Sequence, residues 1–140
     1  MSRVFWDTNL FIYLVEAHPK YSQRVVDLRR RMLKRRDQLY TSALTLGEVL
    51  VKPVETGNEA LRRSYERAMT TGVVLISLDQ DAARNYAQIR QDRSLRAPDT
   101  IQLACAAQAQ VDLFITNDDR LSGKVVPGIQ FIVSLEKAFL

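Results

Sequence analysis

Val4-Phe5-Trp6-Asp7-Thr8-Asn9-Leu10-Phe11-Ile12-Tyr13-Leu14-Val15 holds two structural elements and the junction between them. Val4–Trp6 is a short, continuous apolar run, as in a strand covered on both faces. Asp7, Thr8 and Asn9 are helix-capping types, and the apolar Leu10–Val15 after them reads as a helix. The same alternation continues outward from this segment. Tyr21, Val25, Leu28 and Met32 recur at helical spacing, so the chain around them is an amphipathic helix. Leu39–Thr41 is a short strand. Ser42 or Thr45 starts a helix that passes through Glu48 and is expected to stop near Pro53, which lacks the N–H to continue it. Asn58 starts another, with Leu61, Tyr65 and Ala68 on one face and Gly72 just past its end.

Val73–Ile76 reads as a buried strand, and Asp79 caps a helix carrying Ala82, Tyr86 and Ile89. Pro98 and Asp99 open a helix that is apolar almost all round, through Ile101, Leu103, Ala104, Cys105, Ala106 and Ala107; such a helix is buried on several sides. Leu113–Ile115 is a strand ending in Thr116-Asn117-Asp118-Asp119. Phe131–Val133 is the last strand, and Ser134 is expected to cap a short terminal helix. Short apolar strands alternating with helices imply an α/β fold with a parallel sheet covered on both faces. Ligands of such sheets sit outside the carboxyl ends of the strands. Asp7 and Asp118 both follow strands, so both belong to that edge.

The 140 residues are one domain's worth, 1–140, and a chain this size buries roughly 68% of its unfolded surface. A hydrophobic fraction of 46% and a charged fraction of 26% exclude a disordered chain. The longest apolar run, Leu10–Val15, is far short of the roughly 20 residues of a membrane span. Asp7 and Asn9 interrupt any signal-peptide pattern. One cysteine, Cys105, excludes an internal disulfide and fits a reducing cytoplasm. With a single histidine, His18, the chain has no closed zinc site and little basis for a histidine-driven nucleophile. Any metal must be a hard cation held by oxygens. The net charge is only +4, but seven basic residues fall between Arg24 and Arg36 against one acid, Asp27. Arg29, Arg30, Lys34 and Arg36 on this helix are candidate phosphate-binding residues; the alternative is a solvated helix face.

Four carboxylates form the candidate site. Each has a local explanation: Asp7 as a helix cap, Glu48 as an ion pair with Lys52 four residues on, Asp99 as a favourable charge in a first helical turn, Asp118 or Asp119 as turn chemistry. Asp7 and Asp118 lie at carboxyl ends of strands, and Glu48 and Asp99 lie on helices of apolar character, so on one fold the four are expected to face a shared cavity. Two unit charges about 5 Å apart repel by roughly 3 kcal/mol at an effective dielectric of about 20. Mg²⁺ or Mn²⁺ removes that repulsion, bound by a few carboxylates and water. Without the cation each acid repels the others, so Asp99→Asn is expected to raise the melting temperature of metal-free protein. Such a site suits phosphodiester hydrolysis, since the cation polarises a phosphoryl oxygen and activates a water.

Phe5-Trp6-Asp7-Thr8-Asn9, Leu46-Gly47-Glu48-Val49, Pro98-Asp99-Thr100-Ile101-Gln102-Leu103-Ala104 and Thr116-Asn117-Asp118 resemble, in order, the four acidic motifs of PIN-domain nucleases. The likeness covers essentially the whole chain and is closest to short VapC-type toxins of toxin–antitoxin pairs. It implies a three-layer α/β/α sandwich around a parallel sheet. It implies a Mg²⁺- or Mn²⁺-dependent endoribonuclease acting on RNA, often a homodimer, inhibited by a small antitoxin protein. Carried over by position, Asp7, Glu48, Asp99 and Asp118 bind metal, and Asn9 and Thr116 support them.

Three rivals remain open at this stage. One is a PIN nuclease of RNA processing rather than a toxin. Another is a non-catalytic RNA- or protein-binding module on the same fold, which divalent-metal binding tells apart. An aspartyl-phosphate phosphatase is disfavoured, because Asp7-Thr8-Asn9 lacks a second aspartate two residues after the first.

Overall fold

The computed structural model describes residues 1–140. At its centre is β1 (Arg3–Trp6), with β2 (Gln38–Ser42) on one side and β4 (Leu113–Thr116) on the other. The outer strands are β3 (Val73–Ile76) and β5 (Phe131–Ser134), giving the order β3-β2-β1-β4-β5. Every pairing is parallel, with Phe5 opposite both Tyr40 and Phe114. The chain builds outward from β1 to β3, then returns to the other side of β1 as β4. That reversal leaves a crevice at the carboxyl ends of β1 and β4, the place where open parallel sheets bind ligands.

Alternation along β1 divides the core in two. Val4 and Trp6 point into one cluster with Leu10, Phe11, Leu28, Met32 and Tyr65. Phe5 points into the other, stacked on Phe114 at 4.9 Å, with Leu103, Leu121 and Ile132. The first cluster lies under α1 (Thr8–Val15), α2 (Ser22–Arg35), α3 (Ala43–Thr56) and α4 (Glu59–Thr70). The second lies under α5 (Gln80–Ile89), α6 (Ala97–Gln108) and the segment from Leu121 to Ile129. The result is a three-layer α/β/α sandwich. α6 packs on β2, α3 and α5 at once, which is why it is apolar almost all round. α2 buries Val25, Leu28 and Met32, as their spacing predicts.

Three elements depart from the sequence reading. α3 does not stop at Pro53; it continues to Thr56. Pro53 is buried there, and the helix is closed one turn later by Gly57 at φ +63, where the Gly57 and Asn58 N–H groups donate to the Val54 and Pro53 carbonyls. β3 is an edge strand with Val74 46% exposed, not a fully buried one. After β5 the Lys137 N–H donates to the Ser134 hydroxyl at 3.2 Å, but no helix follows. The few residues left are too short to offset helix nucleation. No helix is long and apolar enough to cross a membrane.

Candidate active site

Asp7 sits where β1 ends and α1 begins. Its N–H extends the ladder to the Ile115 carbonyl at 3.0 Å, and its Oδ1 accepts the Thr8 N–H at 2.8 Å as the cap of α1. Oδ2 accepts the hydroxyl of Thr116, fully buried at the end of β4, at 2.7 Å. Asp7 is thus the helix cap that its position suggests, while its second oxygen turns to the end of β4. The side chain is buried and has no ion-pair partner. Burial pushes its carboxyl up to about 6, against the Thr116 and Thr8 hydrogen bonds, and the charges of Asp99 and Glu48 add to the rise.

The other three acids reach the same place from separate segments. Glu48, on α3, accepts the Thr8 hydroxyl at 2.8 Å. Lys52, its neighbour one turn on, pairs instead with Glu16 at 3.0 Å. Asp99, in the first turn of α6, meets Arg96 Nε at 3.3 Å and Arg120 Nη2 at 3.6 Å. The expectation that Asp99 carries uncompensated charge therefore fails: two guanidinium groups flank it. Asp118 takes a two-pronged hold from Arg120, at 3.0 Å from Nε and 2.5 Å from Nη2, which keeps its carboxyl below the usual range. Asp119 is exposed and takes no part in the cleft lining, so Asp118 is the inward member of the pair.

Asp7, Glu48, Asp99 and Asp118 line one cleft of about 400 Å³, with Thr8, Asn9, Arg96 and Gln102 between them. A second cleft of the same volume, near Ile89 and Val126, has one carboxylate, Asp92, already held by Lys124 at 2.8 Å. Chemistry rather than size distinguishes them. Asn9 accepts the Asn117 N–H at 3.3 Å and ties the loop after β4 to α1.

Gln102 is the residue that sequence reasoning missed. It lies three positions after Asp99, on the same face of α6, and is 2% exposed. An amide amid the apolar middle of this helix, between Ile101 and Leu103, was the available signal. Ser42 Oγ accepts the Thr45 N–H as the cap of α3, so its own proton goes to Gln102 Oε1. The Gln102 amide nitrogen then donates to Thr45 Oγ1 at 2.6 Å and Thr8 Oγ1 at 3.0 Å. Thr8 is left with its proton for Glu48. A chain of hydrogen bonds thus runs from a helix cap to an exposed carboxylate and fixes its direction.

The basic residues divide. Arg29, Arg30, Lys34 and Arg36 line no part of the cleft. Arg29 reaches the Gly72 carbonyl before β3, Arg30 pairs with Asp27, and Arg36 forms the left-handed cap that leads into β2. The carboxyl-terminal half of α2 thus lies toward the amino ends of the strands, away from Asp7. The cations at the acids are Arg96 and Arg120. Burial pushes the Cys105 thiol up to about 11, so it supplies no thiolate. His18 lies in the α1–α2 turn, where its Nδ1 accepts the Lys20 and Tyr21 N–H groups.

No three of the Asp, Glu, His and Cys side chains are gathered tightly enough to hold one ion as they stand. The Arg120 guanidinium lies between Asp99 and Asp118, 3.6 Å from one and 2.5 Å from the other. The donor set itself fits a hard divalent cation: all oxygens, anionic, with Asp7 buried and unpaired.

A family model for the PIN domain matches residues 4–125. No curated protein matches the chain. Solved structures with the same fold include VapBC2 from Rickettsia felis bound to a promoter DNA fragment, with TM-score 0.76 and 14% identity over 94% of this chain and 98% of that one. A toxin–antitoxin complex from Klebsiella pneumoniae gives 0.63 and 23% identity over 90% and 94%. VapC20 from Mycobacterium tuberculosis, a toxin that cleaves the sarcin–ricin loop, gives 0.60 and 16% over 79% and 86%. At these identities the likeness is one of fold.

Proposed function

This chain belongs to the PIN domain family, and we propose that it is a divalent-metal-dependent endoribonuclease, the toxin of a toxin–antitoxin pair. One observation carries the reading. Four carboxylates from four separate segments line one cleft where β1 and β4 part, and the most buried of them, Asp7, has no cationic partner. Asp7, Glu48, Asp99 and Asp118 are the residues to hold Mg²⁺ or Mn²⁺. When bound, the cation supplies charge neutralisation, a polarised phosphoryl oxygen and a more acidic water.

The chain's own residues provide the rest. Thr8 and Thr116 fix both oxygens of Asp7, and Thr8 also fixes Glu48. Arg96 and Arg120 stand beside the acids with guanidinium forks that suit phosphate oxygens. The toxin role is supported by the toxin–antitoxin complexes among the structural neighbours. A cleft that already accepts Arg120 is also well suited to an arginine from an antitoxin, which then competes with metal.

The test is cleavage of a single-stranded RNA by wild type and Asp7→Asn with Mg²⁺, Mn²⁺ or chelator, with circular dichroism to confirm folding. Wild type should cut only with metal, and the folded variant should not cut. Cleavage in chelator, or full activity in the variant, contradicts the proposal.

A further inference from the structure

A second polar cavity, of about 220 Å³, lies beside the acid cleft and is lined by Lys20, Tyr21, Arg24, Asn117, Leu135 and Glu136. We propose that it binds one nucleotide of single-stranded RNA next to the scissile phosphate, its base against the Tyr21 ring and its phosphate against Lys20 and Arg24. The inference rests on the ribonuclease reading and deepens it.

Three features support a nucleotide. The first is a preorganised aromatic group. Tyr13, His18 and Tyr21 form a triangle with ring centroids 4.8 to 5.1 Å apart. The α1–α2 turn is closed around it by the Lys20 and Tyr21 N–H groups, both donating to His18 Nδ1. Rigid rings of this kind take any base by stacking.

The second is charge. Neither Lys20 nor Arg24 has an acid within ion-pair distance, so both charges are free to meet a phosphate. Glu136 shares the cavity without pairing with either. The Lys20 ammonium rests 5.2 Å from the centre of the Tyr21 ring. A long lysine stem lets it give way to a base and move to the adjoining phosphate.

The third is position. Asn117 lines this cavity, and the next residue, Asp118, lines the acid cleft. The Asn117 N–H donates to Asn9 in the acid cleft, and its amide nitrogen donates to the Tyr13 hydroxyl at 2.9 Å. Asn117 and Lys20 line the cavity together with Tyr21, and the Lys20 ammonium lies over its ring. The two sites therefore share one loop. Leu135 is the single aliphatic lining residue here.

The test is binding of a short single-stranded RNA containing 2-aminopurine, measured in chelator so that no cleavage occurs. Tyr21→Ala should weaken binding by at least about fivefold and abolish part of the 2-aminopurine quenching, while Tyr21→Phe keeps both. Lys20→Ala with Arg24→Ala, on the exposed side of the cavity, should reduce the slope of log affinity against log salt by about 0.7 for each phosphate that the variant no longer neutralises. Mn²⁺ binding should be unchanged in every variant. RNA that is bound and cut by wild type, with Tyr21→Ala and the double variant indistinguishable from it, overturns this inference alone and leaves the cavity as a turn-closing hub or an antitoxin surface. Wild type that binds no RNA overturns it together with the proposed function.

Discussion

Asp7→Asn should make the metal-free protein more stable at neutral pH and less stable in acid. A carboxyl raised from 3.8 to about 6 disfavours the folded anion by about 3 kcal/mol, at about 1.4 kcal/mol per pH unit. Asp7 is buried, so solvent screening does not reduce this figure much. The sign follows from proton binding. Between pH about 4 and about 6 the folded chain keeps a proton that the unfolded chain has lost, so stability falls as pH rises through that window and stays low above it. The amide removes this penalty. It keeps the Thr8 N–H bond but cannot accept the Thr116 hydroxyl with its nitrogen, at a cost of about 1 kcal/mol. The net gain at pH 7.5 is about 2 kcal/mol, which is roughly 6 °C in melting temperature for a domain of this size. Near pH 4 the gain should vanish and reverse by about 1 kcal/mol. Thermal melts of both proteins in chelator from pH 4 to 8 measure it. An Asp7→Asn protein that melts lower at pH 7.5, or a gap that ignores pH, refutes the reasoning. Asp99→Asn should behave oppositely: it deprives Arg96 and Arg120 of a partner and α6 of a first-turn charge worth about 0.3–1 kcal/mol.

Gln102→Leu should cost about 2–4 kcal/mol, because the hydroxyls of Ser42, Thr45 and Thr8 lose their amide partner in a buried network; urea denaturation in chelator checks it, and a near-neutral change argues against the network. Arg120→Gln should tighten Mn²⁺ binding several-fold, since the guanidinium is paired with the carboxylates of Asp99 and Asp118 and competes for them; weaker binding would make Arg120 a helper rather than a competitor. Gly128→Ala should destabilise the second core, because a Cβ there meets the Ala107 carbonyl oxygen at 2.9 Å on a backbone with φ +95; chemical denaturation at unchanged native spectrum reads the loss.

Most of the strands and helices were legible because their signals are local. Val4–Trp6 is continuously apolar, Ser42, Asn58 and Asp79 are good caps, and α6 is apolar on nearly every face. Each of those signals lies within a few residues of the element it defines. Pro53 misled because the energy that carries α3 past it comes from burial and from the cap at Gly57. Asp7 and Asp118 could be placed on one edge because both follow strands, whereas Glu48 and Asp99 were joined to them only through the apolar helices that carry them and the motif resemblance. What holds them was not legible. Arg120 reaches Asp99 across the gap between the loop after β4 and the start of α6. Gln102 reaches Thr8 across 94 residues of chain. The basic stretch from Arg24 to Arg36 was visible as charge, but a helix has two ends, and only the fold shows that Arg24 and not Arg36 faces the functional edge.

The most direct test of the central claim is a calorimetric titration of wild type and Asp7→Asn with Mn²⁺ at pH 7.5. The account predicts saturable binding to wild type. It predicts a loss in Asp7→Asn at least as large as the roughly tenfold that outer partners of a metal site cost. A wild-type protein that binds no Mn²⁺, or an Asp7→Asn protein that binds it equally well, would contradict the claim that these four carboxylates form a metal-dependent nuclease site.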